Sequence, residues 1–378
     1  MTADRGAPAG VDVLVYVEDP GAASYAADLP AALAAGGVGA LLLAGGSAAG
    51  YLRERGRPAE AVPEGESAEG LLDALRPRLV VVGTSEDPDT PGLALVDAAR
   101  SRGIGTVGLV DAFPNAAHRF RGRGDDPLGH APDWLAVPDE WTRQAFVELG
   151  APPARVVVCG HPQYDRVRAL AEELGREGRA AVRARVLPNA GDRPVIVFVA
   201  EVSTGLDPAQ YRKSAEYTLQ GRGWSTGRTE VVLEELLDAA AGLDPRPCFV
   251  LRLHPKNTAE ELASYAEEVD MVSAGGSALE LAYAADLVAG MTSMLLLEAD
   301  LLGTPTLAVV PRPVERDWLP SIRHGRTPCV TTRERLRDAL PRLLAGERTP
   351  GAYGGDPSGG SMDRVRRLVA DRLRAAGA

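Results

Sequence analysis

The feature that most constrains the fold is a repeated alternation of unbroken apolar runs with helical segments. In the first half the apolar runs are VDVLVYV (Val11 to Val17), RLVVVGTS (Arg78 to Ser85) and TVGLVDAF (Thr106 to Phe113), and the segments between them have helical periodicity. A strand without polar alternation is buried on both faces, which is typical of a parallel sheet covered by helices. The alternation therefore predicts an α/β fold.

The same alternation restarts in the second half, in the runs PVIVFVAE, CFVLRLHPK and TPTLAVVP. The chain has 378 residues, which is enough for two cores of ordinary size. Residues 166–193 are helical and then turn-rich at LPNAGDRP, which predicts a boundary near 170–192. We expect two Rossmann-like domains facing each other across a cleft, at 1–170 and 192–350, followed by an amphipathic C-terminal helix at 361–378.

Composition excludes several classes of protein. The formal net charge is -11 and no run of Lys and Arg is present, so we do not expect nucleic-acid binding. The N-terminus lacks an apolar stretch of signal-peptide length and no transmembrane segment is predicted, which favours a cytoplasmic location. The three cysteines are far apart and form no CxxC, so neither a disulfide framework nor a zinc site is expected. We predict no metal and no cofactor.

Acidic residues follow the strands of the first half, where a doubly wound sheet binds its ligands. Asp111 is the preferred general base for an acceptor hydroxyl, and the pair Glu18 and Asp19 is the alternative. A turn with an Asx hydrogen bond explains Asp111 equally well. The predicted acceptor-binding residues are Gly21, His118, Arg119 and His161.

Basic and hydroxyl residues follow the strands of the second half. His254 and Lys256 follow VLRL, where they could stabilise charge on a leaving phosphate, although a strand-end hydrogen bond also explains the histidine. Thr292 and Ser293 stand at a predicted helix N-terminus, a site that binds anions or is simply capped. The predicted donor-binding residues are His254, Lys256, Thr292, Ser293, Glu298, Thr229 and Glu230.

Between the first strand and first helix of the second half lies a polar loop, Glu201 to Thr229. A connection of this length is uncommon in a compact domain. Its aromatic and basic residues fit a lid that closes over substrate, and a disordered excursion is the competing interpretation.

Two sets of motifs resemble known families. The layout resembles the GT-B fold, and RLHPK followed by AGMTSMLLLEADLLGTP is similar to motifs of bacterial sialyl- and polysialyltransferases, capsule transferases and CDP-glycerol transferases. VVVCGHPQYDRV and the downstream EA-x-x-x-G-T-P more distantly resemble UDP-N-acetylglucosamine 2-epimerases, although MTSM replaces the epimerases' paired glycine after serine. The D/E-D/E-G motif of the sialyltransferases is absent.

The transferase resemblance implies that His254 contacts the donor phosphate or acts as an acid towards it. It also implies that Thr292 and Ser293 bind phosphate and that Glu298 belongs to the nucleotide pocket. The leading prediction is a metal-independent glycosyltransferase that moves a sugar or polyol phosphate from a nucleotide-activated donor to a small-molecule or glycan acceptor. The alternatives are a UDP-sugar 2-epimerase or hydrolase, and a non-catalytic nucleotide-sugar-binding protein. A homodimer is compatible with each.

Overall fold

The structure of this chain is a computed structural model that describes residues 11–63, 65–112, 115–202, 211–258, 260–347 and 359–376. The chain forms two compact units. Unit 1 comprises Met1–Asp165 and Gly355–Ala378, and unit 2 comprises Arg166–Gly354. The chain therefore passes from unit 1 into unit 2 and back again.

Unit 1 is built on a seven-stranded parallel sheet with the order β3-β2-β1-β4-β5-β6-β7. The first two strands along the chain pair in register from Val13↔Ala40 to Val17↔Ala44. The strand order reverses between β1 and β4, which is the position where doubly wound folds bind ligands. The strands are β1 (Val13–Val17), β2 (Ala40–Ala44), β3 (Glu60–Ala61), β4 (Leu79–Gly83), β5 (Gly105–Leu109), β6 (Trp134–Val137) and β7 (Val156–Val158).

Unit 2 is built on a six-stranded parallel sheet with the order β10-β9-β8-β11-β12-β13. Its first strand is fully buried along its whole length, as expected of an apolar run covered on both faces. The order reverses here between β8 and β11. The strands are β8 (Val195–Val199), β9 (Cys248–Arg252), β10 (Met271–Ser273), β11 (Leu287–Gly290), β12 (Thr306–Val309) and β13 (Cys329–Val330).

Helices connect the strands in both units. Several begin at side chains that cap them: Ser67, Thr90, Asp139, Ser293 and Thr332 each accept a hydrogen bond from a main-chain N–H of the first turn. The helices are α1 (Pro20–Ala26), α2 (Leu29–Ala34), α3 (Gly46–Glu54), α4 (Ala68–Leu75), α5 (Pro91–Ser101), α6 (Glu140–Glu148), α7 (Pro162–Glu177), α8 (Arg179–Val186), α9 (Arg228–Ala241), α10 (Ala278–Ala284), α11 (Met294–Leu301), α12 (Pro320–Arg323), α13 (Arg333–Leu344) and α14 (Ser361–Ala376).

The C-terminal helix α14 packs on unit 1. Its buried residues Val365, Leu368, Val369 and Leu373 join a core cluster with β1, β4 and β5. The main-chain N–H of Ser361 donates to the Asp165 carboxylate at 2.7 Å, and Arg364 Nε donates to the Cys159 carbonyl at 2.9 Å. The predicted amphipathic helix is present, and its apolar face completes the core of unit 1.

The α/β prediction is confirmed, because both sheets are parallel and both have the strand order of a Rossmann fold. In the described part of the chain, no helix is long and apolar enough to cross a bilayer. Nor do three or more His, Cys, Asp or Glu residues come together there in a way that could hold a metal ion.

Candidate functional site

The first candidate site lies at the switch point of unit 2, where Glu201 follows β8 and Thr292 follows β11. Glu201 Oε1 accepts the main-chain N–H of Thr292 at 2.6 Å, and Glu201 Oε2 accepts the Thr292 hydroxyl at 3.0 Å. One carboxylate therefore accepts both hydrogen-bond donors of Thr292. This contact connects the ends of two neighbouring strands.

Arg228, the first residue of α9, holds the same carboxylate from the other side. Its Nη1 donates to Glu201 Oε2 at 2.7 Å, and its Nε donates to Glu315 Oε2 at 3.0 Å. Arg312 Nε then donates to the second oxygen of Glu315 at 2.7 Å. Arg228 and Glu315 are only 2% and 0% exposed, so water does not solvate their charges. The ion pairs with the neighbouring charged groups offset this loss of hydration.

Glu201 stays ionised in this network. Burial favours its protonated form, but ion pairing and hydrogen bonding with Arg228 and the two hydrogen bonds from Thr292 outweigh burial. The pKa of Glu201 consequently lies below its ordinary value. A carboxylate held in this way is suited to positioning and not to proton transfer near neutral pH.

His254 follows β9 in the same unit and is partly buried. Burial lowers its pKa, the nearby Glu201 carboxylate opposes that effect, and the Lys256 ammonium adds to it. His254 Nδ1 accepts the main-chain N–H of Lys256 at 3.1 Å, so the proton of the neutral ring is on Nε2. The side chain can therefore donate one hydrogen bond from Nε2, while the Lys256 side chain is exposed.

Ser293 caps α11, because its hydroxyl accepts the main-chain N–H of Leu295 at 3.3 Å. Thr292 and Ser293 are both half-buried, and Glu298 is half-buried on the same helix. Hydroxyl groups at the positive end of a helix form an environment that favours an anion. The sequence therefore placed these two hydroxyl residues at a helix N-terminus correctly.

Two further predicted donor-binding residues have intramolecular contacts. The Thr229 hydroxyl donates to the Glu201 carbonyl at 2.9 Å, and Thr229 is 1% exposed. The carboxylate of Glu230 folds back so closely on Gly227 that a Cβ there would overlap with it. A structural role accounts for both side chains, and their contact with a ligand stays a prediction.

The second candidate site lies at the switch point of unit 1, where Glu18 and Asp19 follow β1. The Thr90 hydroxyl donates to Glu18 Oε2. Burial raises the pKa of Glu18, and the carboxylates of Asp19 and Asp87 raise it further against the effect of the Thr90 hydrogen bond. Glu18 therefore takes up a proton at a higher pH than an exposed glutamate, which suits proton transfer.

Asp111, the preferred base, lies two residues beyond β5 and is held by an ion pair. Arg119 Nη1 donates to Asp111 Oδ1 at 2.8 Å and to the Thr84 hydroxyl at 2.7 Å, and that hydroxyl donates to Asp111 at 3.2 Å. The other oxygen, Oδ2, lies against Gly21 at the start of α1, where any Cβ would overlap with it. The structure thus brings three predicted residues, Gly21, Asp111 and Arg119, into contact.

The two predicted histidines of unit 1 have different surroundings. His118 ends a short 3₁₀ turn, Ala116–His118, and is exposed. His161 is 5% exposed between two aromatic rings, with centroids 4.8 Å from Tyr25 and 4.7 Å from Tyr164. His161 Nδ1 accepts the main-chain N–H of Gln163 at 3.1 Å. Packing explains His161, and its acceptor-binding role stays a prediction. Phe113 and Pro114 lie outside the described residues.

The interpretation of the 201–229 loop as a closing lid needs correction for residues 217–222. Tyr217 and Leu219 are buried in the core of unit 2. The Glu235 carboxylate accepts the main-chain N–H groups of Gln220 at 3.2 Å and Gly221 at 2.9 Å. This part of the loop is packed against α9 and does not stand free over a ligand. Residues 203–210 lie outside the described part of the chain.

Sequence reasoning missed the side chains that hold the candidate residues in place. Arg228 stands directly before Thr229, which the sequence analysis selected. A basic residue at the start of a helix can pair with an acidic residue at the end of the preceding strand, so the pairing of Arg228 with Glu201 could have been predicted. Glu315 lies 87 residues from Arg228 in sequence, and nothing local indicates that pairing. Thr84 and Thr90 follow β4 within the switch-point loop, so their position could have been noticed.

The strand orders define two Rossmann-like units in one chain, an α/β architecture of the GT-B type. No protein-family profile and no curated protein sequence matches this chain. Among solved structures, the chain is similar to a UDP-GlcNAc 2-epimerase from Neisseria meningitidis bound to UDP-GlcNAc, with 15% identity, TM-score 0.64, and coverage of 96% of this chain and 99% of the other.

Two further structures give the same result. The UDP-GlcNAc 2-epimerase from Methanocaldococcus jannaschii has 16% identity, TM-score 0.65 and coverage of 95% and 99%. S. aureus MnaA in a co-structure with UDP has 13% identity, TM-score 0.64 and coverage of 97% and 97%. At this level of identity the likeness establishes the fold. It supports the more distant of the two resemblances, and the resemblance to sialyltransferases stays a prediction.

The glycosyltransferase prediction is wrong. The similar structures include UDP-GlcNAc 2-epimerases that match over nearly the whole of both chains, and these matches favour the epimerase alternative. The error arose because the HPK and MTSM segments mark a polar strand edge, a position where α/β folds bind ligands of many kinds. Such an edge says nothing about the fate of the sugar.

Proposed function

We propose that this chain is an enzyme acting on a UDP-activated sugar, and that it changes the configuration at C2 of the sugar. The observation that carries the proposal is the match of this fold to UDP-GlcNAc 2-epimerases over nearly the whole of both chains. The nucleotide part is supported by a polar set at strand ends of unit 2, in which Thr292 and Ser293 follow β11 and His254 follows β9. The fold that presents this set is similar to that of 2-epimerases solved with UDP-GlcNAc, or with UDP-GlcNAc and UDP.

In this proposal unit 2 binds the nucleotide. The hydroxyl groups of Thr292 and Ser293 and the N-terminus of α11 bind the diphosphate. The neutral ring of His254 donates from Nε2 to a phosphate oxygen and so stabilises the negative charge that develops when UDP leaves. Glu298, further along α11, accepts hydrogen bonds from the ribose hydroxyls.

The chemistry at the sugar follows from its bonds. C2 is not next to a carbonyl, so its hydrogen becomes removable as a proton only if the C1–O bond to UDP breaks in the same elimination. The electron pair of the C2–H bond forms a C1=C2 double bond, and UDP leaves with the electrons of the C1–O bond. Return of a proton to the opposite face of C2, with re-addition of UDP at C1, gives the epimer.

Unit 1 supplies the candidates for proton transfer. Glu18 is the stronger of them, because burial and the neighbouring carboxylates raise its pKa and so favour proton uptake compared with an exposed glutamate. Asp111 is the second, with one carboxylate oxygen held by Arg119 and Thr84. No metal is required by this route.

The test is incubation of the purified chain with UDP-GlcNAc in D2O, followed by NMR. The expected result is the 2-epimer carrying deuterium at C2, with a small amount of free UDP. Release of UDP without epimer would support the hydrolase alternative, and binding of UDP without turnover would support a non-catalytic protein. Absence of both binding and turnover with UDP-sugars would refute the proposal.

The histidine can be tested with a matched pair of variants. His254→Ala should weaken UDP binding by on the order of tenfold or more, because it removes a hydrogen bond to a charged group. His130→Ala removes a histidine of unit 1 that lies outside the predicted binding residues, and it serves as the control. Calorimetric titration with UDP measures both.

A further inference from the structure

We propose that Arg228 is a positioning residue, which holds the Thr292–Ser293 segment in its binding geometry through the Glu201 carboxylate. The identity of the ligand rests on the proposed function, whereas the geometry does not. Arg228 itself is not placed in contact with a ligand.

The first step is the pair of hydrogen bonds by which Glu201 holds Thr292. A single hydrogen bond would leave the residue free to rotate, but here one carboxylate accepts both the main-chain N–H at 2.6 Å and the side-chain hydroxyl at 3.0 Å. The two bonds fix the main chain and the rotamer of Thr292 together. They therefore set the direction in which the first turn of α11 and its cap, Ser293, are presented.

The second step is the orientation of Glu201 itself. A flexible glutamate fixes nothing unless its own position is fixed, and Arg228 supplies that constraint with the 2.7 Å bond from Nη1. Arg228 Nη2 also donates to the Thr292 hydroxyl at 3.2 Å, which closes a three-membered ring of contacts. Three chain segments that are distant in sequence meet in this ring.

The third step is the anchor of Arg228. Its guanidinium group is fixed on the opposite edge by Glu315, which Arg312 holds in turn. The planar guanidinium group of an arginine can donate to both carboxylates and to the Thr292 hydroxyl at the same time. A lysine ammonium is a compact point charge and cannot span these three acceptors. Lysine at this position keeps the charge that the two buried carboxylates require but loses the geometry.

The same unit offers a matched control at the other end of β8. There Asp286 Oδ2 accepts the main-chain N–H of Val195 at 2.7 Å and pairs with Arg183, whose Nε donates to the Ala284 carbonyl at 3.0 Å. The arrangement matches that of Arg228 and Glu201, because an arginine pairs with a carboxylate that accepts a main-chain N–H. It lies at the amino end of the strand, away from the proposed phosphate site.

The experiment compares Arg228→Lys, Glu201→Gln and Arg183→Lys with the wild type in the full chain. Two quantities are measured: hydrogen exchange of the peptide covering residues 290–296 by mass spectrometry, and the dissociation constant of UDP by calorimetry. For Arg228→Lys and Glu201→Gln we expect exchange in this peptide to rise, and UDP affinity to fall, each on the order of tenfold. Arg183→Lys should leave both at wild-type values.

Each other outcome has a definite meaning. Wild-type exchange in both Arg228→Lys and Glu201→Gln would overturn the positioning role, as would equal loosening of the peptide by Arg183→Lys. Faster exchange with unchanged UDP affinity would overturn the link to ligand binding. If the wild type binds no UDP but exchange responds as expected, the proposed function fails while the positioning role stands.

Discussion

Glu18 is the residue whose charge state matters most for the proposed chemistry. It follows β1 of unit 1, and burial together with neighbouring carboxylates raises its pKa above the ordinary value of 4.5. Folding therefore favours the protonated carboxyl. The stability from this preference is fully present below the unfolded pKa and is lost as pH rises through the folded pKa.

Glu18→Gln should remove that loss, because glutamine stays neutral and can still accept the Thr90 hydrogen bond. The melting temperature of the variant should equal that of the wild type near pH ~4 and exceed it near pH ~7. Thermal unfolding across this range measures the difference. Glu54→Gln, at an exposed glutamate of α3, controls for the removed charge. A constant difference across the range would show that Glu18 does not titrate as described.

Position 21 needs a glycine because the Asp111 side chain leaves no room for a Cβ, and not because of the backbone angles. Asp111 Oδ2 occupies the space of a Cβ there, while Asp111 Oδ1 is tied to Arg119 and Thr84. Gly21→Ala should lower the free energy of unfolding by about 1–3 kcal/mol by displacing the carboxylate. Gly50→Ala, in an open position of α3, should instead raise it by about 0.4–1 kcal/mol. Urea denaturation distinguishes the two, and equal effects would contradict the contact.

At the scale of elements, the loop before α9 owes its shape to two buried carboxylates of that helix. Glu234 Oε2 accepts the main-chain N–H of Arg222 at 2.6 Å, and its other oxygen accepts the Tyr265 hydroxyl at 2.8 Å. Gly221 has φ +60°, and a Cβ there would overlap with the Glu234 carboxylate. Side chains of α9 therefore hold the loop that precedes this helix in the sequence.

This arrangement gives a prediction with a built-in control. Gly221→Ala and Gly276→Ala place a side chain at similar positive φ angles, +60° and +68°, but only the first meets Glu234, because Gly276 has open space around its Cβ position. Both should incur backbone strain of about 1–2 kcal/mol. Gly221→Ala should lose a further ~1–3 kcal/mol from the disturbed hydrogen bonds. Chemical denaturation of the two variants checks the difference, and equal losses would mean that Glu234 does not anchor the loop.

The elements themselves could be predicted from the sequence, since strands such as Val13–Val17 and Val195–Val199 are buried on both faces and read as unbroken apolar runs. Thr292 and His254 could be found because they directly follow strands. The pairing of Arg228 with Glu315 could not, because partners distant in sequence meet only through the tertiary fold. Arg119 pairs with Asp111, and its acceptor-binding role stays a prediction.

At the scale of the whole molecule, the two units have separate cores. Leu373 of α14 is 5% exposed in a core cluster of unit 1, and Leu343 of α13 is 5% exposed in a core cluster of unit 2. Each is a leucine on an amphipathic helix near the C-terminal part of the chain. Sequence reveals the amphipathic pattern of both helices but not which core each one completes.

Leu373→Ala and Leu343→Ala should each lower the stability of one unit by about 2–5 kcal/mol through loss of buried contacts. Hydrogen exchange should rise in residues 13–17 for Leu373→Ala and in residues 195–199 for Leu343→Ala. Exchange mass spectrometry resolves the two regions. A rise in residues 195–199 caused by Leu373→Ala would contradict the assignment of α14 to unit 1.

The return of the chain to unit 1 also sets the order in which the two units can be completed during translation. All residues of unit 2 have been synthesised once Gly354 is added, whereas unit 1 still lacks Gly355–Ala378. Domains generally fold from the N-terminus onward as the ribosome delivers them. Of the two units, unit 1 therefore begins first and is completed second, and its apolar surface stays uncovered in the nascent protein until α14 leaves the exit tunnel.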